Sequence, residues 1–176
     1  MERKEQIKEL NRLYNRKMAD LVAIYGKPGV GKTKLIDETF DGKIVFKHTG
    51  LPPVDKGNRK QLNLQLEHFY NSLIMHGMVA NNKPKDWFDA FLLLEKYLNE
   101  KNDGCRQVVF LDEISYLDTP KSYFLMGFES FWNNWACCRK NLMVIVCSSD
   151  ESWIKEKLIN NCGGLYDRVT WPMGIS

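Results

Sequence analysis

Residues Gly26-Lys27-Pro28-Gly29-Val30-Gly31-Lys32-Thr33 space their glycines, lysine and threonine as G-x-x-x-x-G-K-[ST]. Glycines at these positions let the backbone curl until successive N–H groups face one hollow, an arrangement suited to an anion. A helix opening near Lys32 adds the positive end of its dipole. The Lys32 ammonium then complements the outer phosphates of a nucleoside triphosphate, and the Thr33 hydroxyl is a hard oxygen ligand for Mg²⁺. The expected phosphate-contacting run extends from Gly26 through Lys34.

"VVFLDE" supplies the second constellation. Asp112 falls at the end of an apolar run, where it can orient the water shell of Mg²⁺. Glu113 follows it and is the candidate base for an attacking water. Small-molecule kinases with a phosphate loop often lack that adjacent glutamate, because a substrate hydroxyl is their nucleophile; its presence favours an ATPase. A further apolar run ends "CSS". If its strand lies between those ending at Gly26 and Asp112, Ser148 or Ser149 faces the γ-phosphate. The alternative is an ordinary helix N-cap, a role open to Ser149 or Asp150.

These residues need elements to hold them. "LVAIY", "KIVFKHT", "QVVFLDE", "LMVIVCSS" and "RVTWPM" read as five strands. Between them, apolar residues recur at helical spacing: Ile7, Leu10, Leu13 and Tyr14; Leu35, Ile36 and Phe40; Leu62, Leu66, Phe69, Leu73 and Ile74. A further helix starting near Pro84 carries Trp87, Phe91, Leu94 and Leu98, and another is expected to open at Thr119-Pro120 and carry Phe124, Phe128, Phe131, Trp132 and Trp135. An aromatic stripe at that spacing reads as core. "ESWIKEKLINNC" gives a last helix ended by Gly163-Gly164. Strands alternating with helices predict one α/β domain over residues 1–176, a parallel sheet covered on both faces.

Composition narrows the partners. Twenty-five Lys and Arg against 22 Asp and Glu give +3, and the basic residues are interspersed with acids, unlike the clustered basic face of a nucleic-acid binder. No apolar run is long enough to cross a membrane and no signal-peptide core opens the chain, so the expected location is cytoplasmic. Cys105, Cys137, Cys138, Cys147 and Cys162 form no CxxC pair and are expected to be reduced and mostly buried. His48, His68 and His76 lack metal-ligand spacing, with His48 well apart from the other two.

Together these segments resemble the N-terminal ATPase module of the archaeal-ATPase-like family, within the STAND branch of AAA+-related P-loop NTPases. The resemblance runs through "RLYNRKMADLVAIYG", "FKHTGLPPV", "QVVFLDEISYLDTPKS", "FWNNWACCRKNLMVIVCSS" and "KLINNCGGLYDRVT". It implies a three-layer core with sheet order 5-1-4-3-2, ATP and Mg²⁺ as ligands, and a helical lid and winged-helix segment following the core. Departures stand out. The family's loop is usually arginine-rich where this chain has Lys27-Pro28-Gly29. Ser148-Ser149 replaces a Gly-Ser pair, and Asp150 stands where a small residue is usual, so its carboxylate is expected to repel the γ-phosphate and slow turnover. The chain ends at Ser176 before any lid, which reads either as a fragment or as a core working alone. Arg168 resembles the family's arginine before the fifth strand. Residues there lie away from the ligand crevice, so it is expected to serve a neighbour's ATP across a self-association face or to be a surface arginine paired with Asp167 or a nearby acid.

The leading functional expectation is a Mg²⁺-dependent ATPase that drives a conformational switch, with Lys32, Glu113, Ser149 and Arg168 as catalytic candidates and Thr33 and Asp112 on the metal. The alternative is a nucleotide-gated protein- or DNA-interaction module that hydrolyses little, with "GLPPVDKGNRK" and the helices to residue 101 as its partner surface. A small-molecule kinase ranks last, since no acceptor-binding lid is evident.

Overall fold

The computed structural model describes residues 3–176. Helix α1 (Arg3–Tyr14) leads into strand β1 (Asp20–Tyr25), and α2 (Lys32–Thr39) into β2 (Ile44–Thr49). Helices α3 (Asn58–Met75) and α4 (Trp87–Glu100) precede β3 (Gln107–Asp112). Then come a 3-10 turn at Ile114–Leu117, α5 (Phe124–Asn134), β4 (Leu142–Ser148), α6 (Glu151–Ile154) continued by a π-turn at Lys155–Ile159, and β5 (Trp171–Gly174).

Five parallel strands lie in the order β2-β3-β4-β1-β5, the expected order read from the other edge. In a strand successive side chains alternate between faces, and the apolar runs feed two cores. Val22, Ile24, Val108, Phe110, Met143 and Ile145 pack with Leu10 and Leu13 of α1 and Leu35 and Ile36 of α2. Leu21, Ala23, Val109, Leu111, Val144 and Val146 pack with the aromatic faces of α3, α4 and α5. Buried on both sides, β3 and β4 run apolar without alternation between polar end residues Gln107, Asp112 and Ser148, as a central parallel strand should. Gly127 permits the close approach of α5 to α4, since a Cβ there would lie 2.9 Å from Trp87 Cβ.

The strands' N-terminal ends are tied by Arg106, whose guanidinium donates to Asp20 at 2.7 Å and to the carbonyls of Met18, Lys140 and Leu13. Both partners are buried. This clamp fixes the relative heights of β1, β3 and β4, and with them the loops at the opposite end.

Several local expectations change. Ile7 is exposed and Gln6 takes the inward position on α1. Helix α4 starts at Trp87, because the Asp86 side chain accepts from Asp89 N and sets the boundary two residues past Pro84. Thr119 caps no helix: the chain spends residues 113–123 in a 3-10 turn and a loop with Lys121 and Tyr123 at positive φ, and α5 opens only at Phe124. The last helical stretch ends at Ile159 rather than at Gly163-Gly164. Contrary to the expectation of mostly buried thiols, four of the five cysteines are exposed and only Cys147, on β4, is buried. His48 is not remote from its fellows. Packing of α3 on β2 sets its ring 4.9 Å from that of His68 and its Nδ1 2.7 Å from Ser72 Oγ, while His76 Nε2 accepts from Lys47 N. No described helix is long and apolar enough to cross a membrane.

Candidate nucleotide site

The site forms where β1, β3 and β4 end. After Tyr25 the chain turns at Gly26, where a Cβ would lie 2.2 Å from Ile175 O, so only glycine admits the approach of the segment after β5. Gly29 (φ 82) and Gly31 (φ 89) adopt left-handed backbone. Gly31 is the N-cap residue of α2, and no described side chain caps that terminus. Its first-turn N–H groups therefore point from a helix start into the loop.

Lys32 is buried, and its Nζ donates to Gly26 O (2.7 Å), Lys27 O (3.0 Å) and Ser149 Oγ (3.3 Å). Thr33 Oγ1 donates to Asp112 Oδ2 at 2.6 Å. Ser149 Oγ donates in turn to Glu113 Oε1 at 2.9 Å. Lys32, Ser149 and Glu113 thus form a continuous polar chain, with the Thr33–Asp112 pair beside it. Burial raises the Asp112 carboxyl above the ordinary range, and the Glu113 charge adds to that; the Thr33 hydrogen bond works the other way.

Ser148 and Ser149 divide the work left open between them. Ser148 is fully buried, shares a hydrogen bond with Ser115 Oγ (2.7 Å) and accepts from Asp150 N (2.9 Å). Ser149 faces Lys32 and Glu113. The cap of α6 is Asp150, whose Oδ1 accepts from Trp153 N at 3.0 Å.

Two clefts touch the site. One of about 670 Å³ is lined by Glu113, Ser149, Asp150, Pro53, Asp118 and Trp153, among others. The other, of about 530 Å³, lies between α1 and α2 and is lined by Arg3, Ile7, Asn11, Gly31, Lys34 and Glu38, among others. Lys34 is exposed and 3.7 Å from Glu38. Lys27, Pro28 and Gly29 are exposed at the loop crest, with Val30 behind them. Arg168 is elsewhere: exposed, before β5, at the strands' N-terminal end, with no ion pair to Asp167 among the described residues.

Some residues at the site carried no signal in the sequence. Arg3 donates to Val30 O at 2.9 Å and braces the loop from α1. Trp153 Nε1 donates to Asp118 Oδ2 at 2.9 Å, joining α6 to the turn after β3. Neither belongs to a fixed spacing, since both arrive by packing.

Thr33 and Asp112 suit Mg²⁺: two adjacent hard oxygens, one a buried carboxylate, leave room for phosphate and water ligands, the set Mg²⁺ prefers. Among the described residues no three or more His, Cys, Asp or Glu converge as a metal site.

A glycine-rich loop at the C-terminal ends of a parallel sheet, with an Asp-Glu pair at the end of β3, one strand removed from β1 across β4, defines a P-loop ATPase-like fold. Residues 1–176 match the model of an ATPase domain found predominantly in Archaea, and the chain belongs to that family. No curated protein matches it. Solved structures show the same fold. The Walker-type ATPase of Pyrococcus abyssi is similar at a TM-score of 0.63 and 17% identity, covering 99% of this chain and 53% of its own. Cdc6p of Pyrobaculum aerophilum is similar at 0.61 and 14%, covering 99% and 45%. The ORC2 protein of Aeropyrum pernix, solved as ADPNP–ADP complexes, is similar at 0.53 and 16%, covering 98% and 47%. The chain thus spans about half the length of these proteins.

Proposed function

We propose that this domain binds ATP with Mg²⁺ and hydrolyses it, and that the cycle drives a conformational switch. The observation that carries this reading is the position of Ser149 Oγ, 2.9 Å from the Glu113 carboxylate and 3.3 Å from Lys32 Nζ, beside the Thr33–Asp112 pair. Loop amides and the start of α2 hold the phosphates, and Lys32 turns from its carbonyl partners to the outer phosphate oxygens. Thr33 and Asp112 would hold Mg²⁺, which when bound would supply positive charge against the phosphates. Glu113 accepts the proton of the attacking water as that oxygen bonds to the γ-phosphorus and the bond from the γ-phosphorus to the β–γ bridging oxygen breaks, so that ADP and inorganic phosphate leave. Ser149 orients Glu113 or the water, and its single hydroxyl proton makes it a donor to only one of them at a time.

Glu113→Gln keeps the side chain's size and removes its basicity. Turnover is expected to fall at least about 100-fold, within the range for a general base, while binding of a fluorescent ATP analogue persists. Unchanged turnover removes Glu113 from the mechanism.

The second reading is a nucleotide-gated module that hydrolyses little. Asp150 favours it, because its carboxylate lines the cleft next to Glu113. ATP retained for hours without phosphate release supports this reading over the first. Under this second reading the exposed loop 52–57 belongs to the partner surface. Arg168 lies on a separate face available for self-association.

A further inference from the structure

Glu113 sits in left-handed backbone, φ 49 and ψ 46. A non-glycine residue holds that conformation only against a steric cost, and it persists only where the surroundings overdetermine it. Some of that constraint is local: Glu113 N donates to Asp112 Oδ1 at 3.0 Å, and Glu113 O accepts from Tyr116 N at 3.1 Å to open the 3-10 turn. The rest arrives from β2 and α3.

Gly50, buried just past β2, donates its N–H to Asp112 O at 3.0 Å. A Cβ on Gly50 would lie 2.6 Å from Glu113 O and 3.0 Å from Tyr116 Cβ. Glycine is required for this backbone to seat the Glu113 turn. One residue on, Leu51 is gripped by Gln65 of α3, which is 3% exposed. Gln65 Oε1 accepts from Leu51 N (3.1 Å), and Nε2 donates to Leu51 O (2.8 Å) and to Tyr116 O (3.2 Å). One buried amide therefore uses both of its N–H groups and its oxygen to bind the chain after β2 to the turn that begins at Glu113.

We infer that Gln65, acting with Gly50, is a positioning residue for Glu113. This rests on the reading of Glu113 as the base. The loop that grips phosphate and the Thr33–Asp112 pair belong to α2 and to β3 itself, so Gln65 governs the aim of the carboxylate and not the hold on nucleotide. Leu51 also begins the exposed Pro52–Gly57 segment, and Pro53 and Gln61 line the same cleft as Glu113.

Gln65→Met preserves length and removes all three hydrogen bonds; Gln65→Asn keeps the amide but withdraws it by one methylene. Both are compared with the parent chain, Glu113→Gln and Glu113→Gln/Gln65→Met for affinity toward a fluorescent ATP analogue and for steady-state phosphate release. Gln65→Met is expected to keep affinity within about twofold and to lose about tenfold or more in turnover. Gln65→Asn serves as the readout if the methionine variant does not fold. The double variant is expected to be no slower than Glu113→Gln alone, because a positioner is silent once the group it positions is gone. Parent-like turnover in the Gln65 variants overturns the inference and leaves the ATPase reading intact. So does affinity falling in step with turnover, or a double variant about tenfold slower than Glu113→Gln. Full turnover in Glu113→Gln itself removes the ATPase base and this inference together.

Discussion

Lys32 has carbonyl partners on its own loop and a hydroxyl on β4, so its ammonium is fully engaged within the protein. A charge-assisted hydrogen bond of this kind is worth about 1.5–3 kcal/mol. Lys32→Ala is accordingly expected to weaken ATP binding about 10- to 150-fold, that energy expressed as a ratio, in a fluorescent-analogue titration. Affinity within twofold of the parent contradicts the assigned grip. Residues with fixed chain spacing were legible: Gly26 through Thr33 sit in one turn, and Asp112-Glu113 are neighbours at a strand end. Ser149 was legible only through the sheet order. Gln65, Gly50 and Arg3 were not, since nothing local marks an amide that bonds backbone 14 and 51 residues away.

At the scale of elements, apolar runs were the reliable signal. Each central strand buries both faces, and a largely apolar run of only 6 or 7 residues, rich in β-branched side chains, is too short for a buried helix. Helix starts were less legible. Thr119-Pro120 has the chemistry of a helix start, yet the chain there must first return from Glu113, and the tertiary path overrides the local preference. Packing of β2 on α3 was invisible for the same reason, and it has a measurable consequence. His48 is buried against Phe69 and His68, and burial, reinforced by the charges of the His68 and His76 imidazoles, lowers its pKa to about 3. The folded protein then binds fewer protons than the unfolded chain between about pH 6.5 and 3, so the stabilisation is complete above about 6.5 and declines as pH falls through that window. Between pH 7.5 and 5.5 the loss from His48 is about 1.4 kcal/mol. Urea unfolding at the two pH values measures it, and His48→Leu is expected to flatten the slope by that amount. An undiminished slope in the variant assigns the pH dependence to other groups.

The whole molecule has two ends with different duties. Arg106 locks the strands' N-terminal ends through Asp20 and three carbonyls, while the candidate nucleotide site occupies the C-terminal ends. Arg168 belongs to the first end. A six-residue strand such as β1 spans about 20 Å, so the Arg168 guanidinium cannot reach the phosphates of its own subunit without unpairing β5. Two outcomes are then separable by concentration alone. In dilute solution, where each chain acts by itself, Arg168→Ala is expected to leave phosphate release per subunit within twofold of the parent. If subunits associate so that this face meets a neighbour's cleft, parent turnover rises with protein concentration and the variant's does not, because only the parent carries the cation that stabilises charge on the transferred phosphoryl group. A defect in the dilute variant, with its unfolding midpoint unchanged, contradicts the placement of Arg168 beyond the reach of its own site. Phosphate release and sedimentation measured over the same concentration series distinguish these cases, since assembly and turnover must rise together for the arginine to be acting from a neighbour.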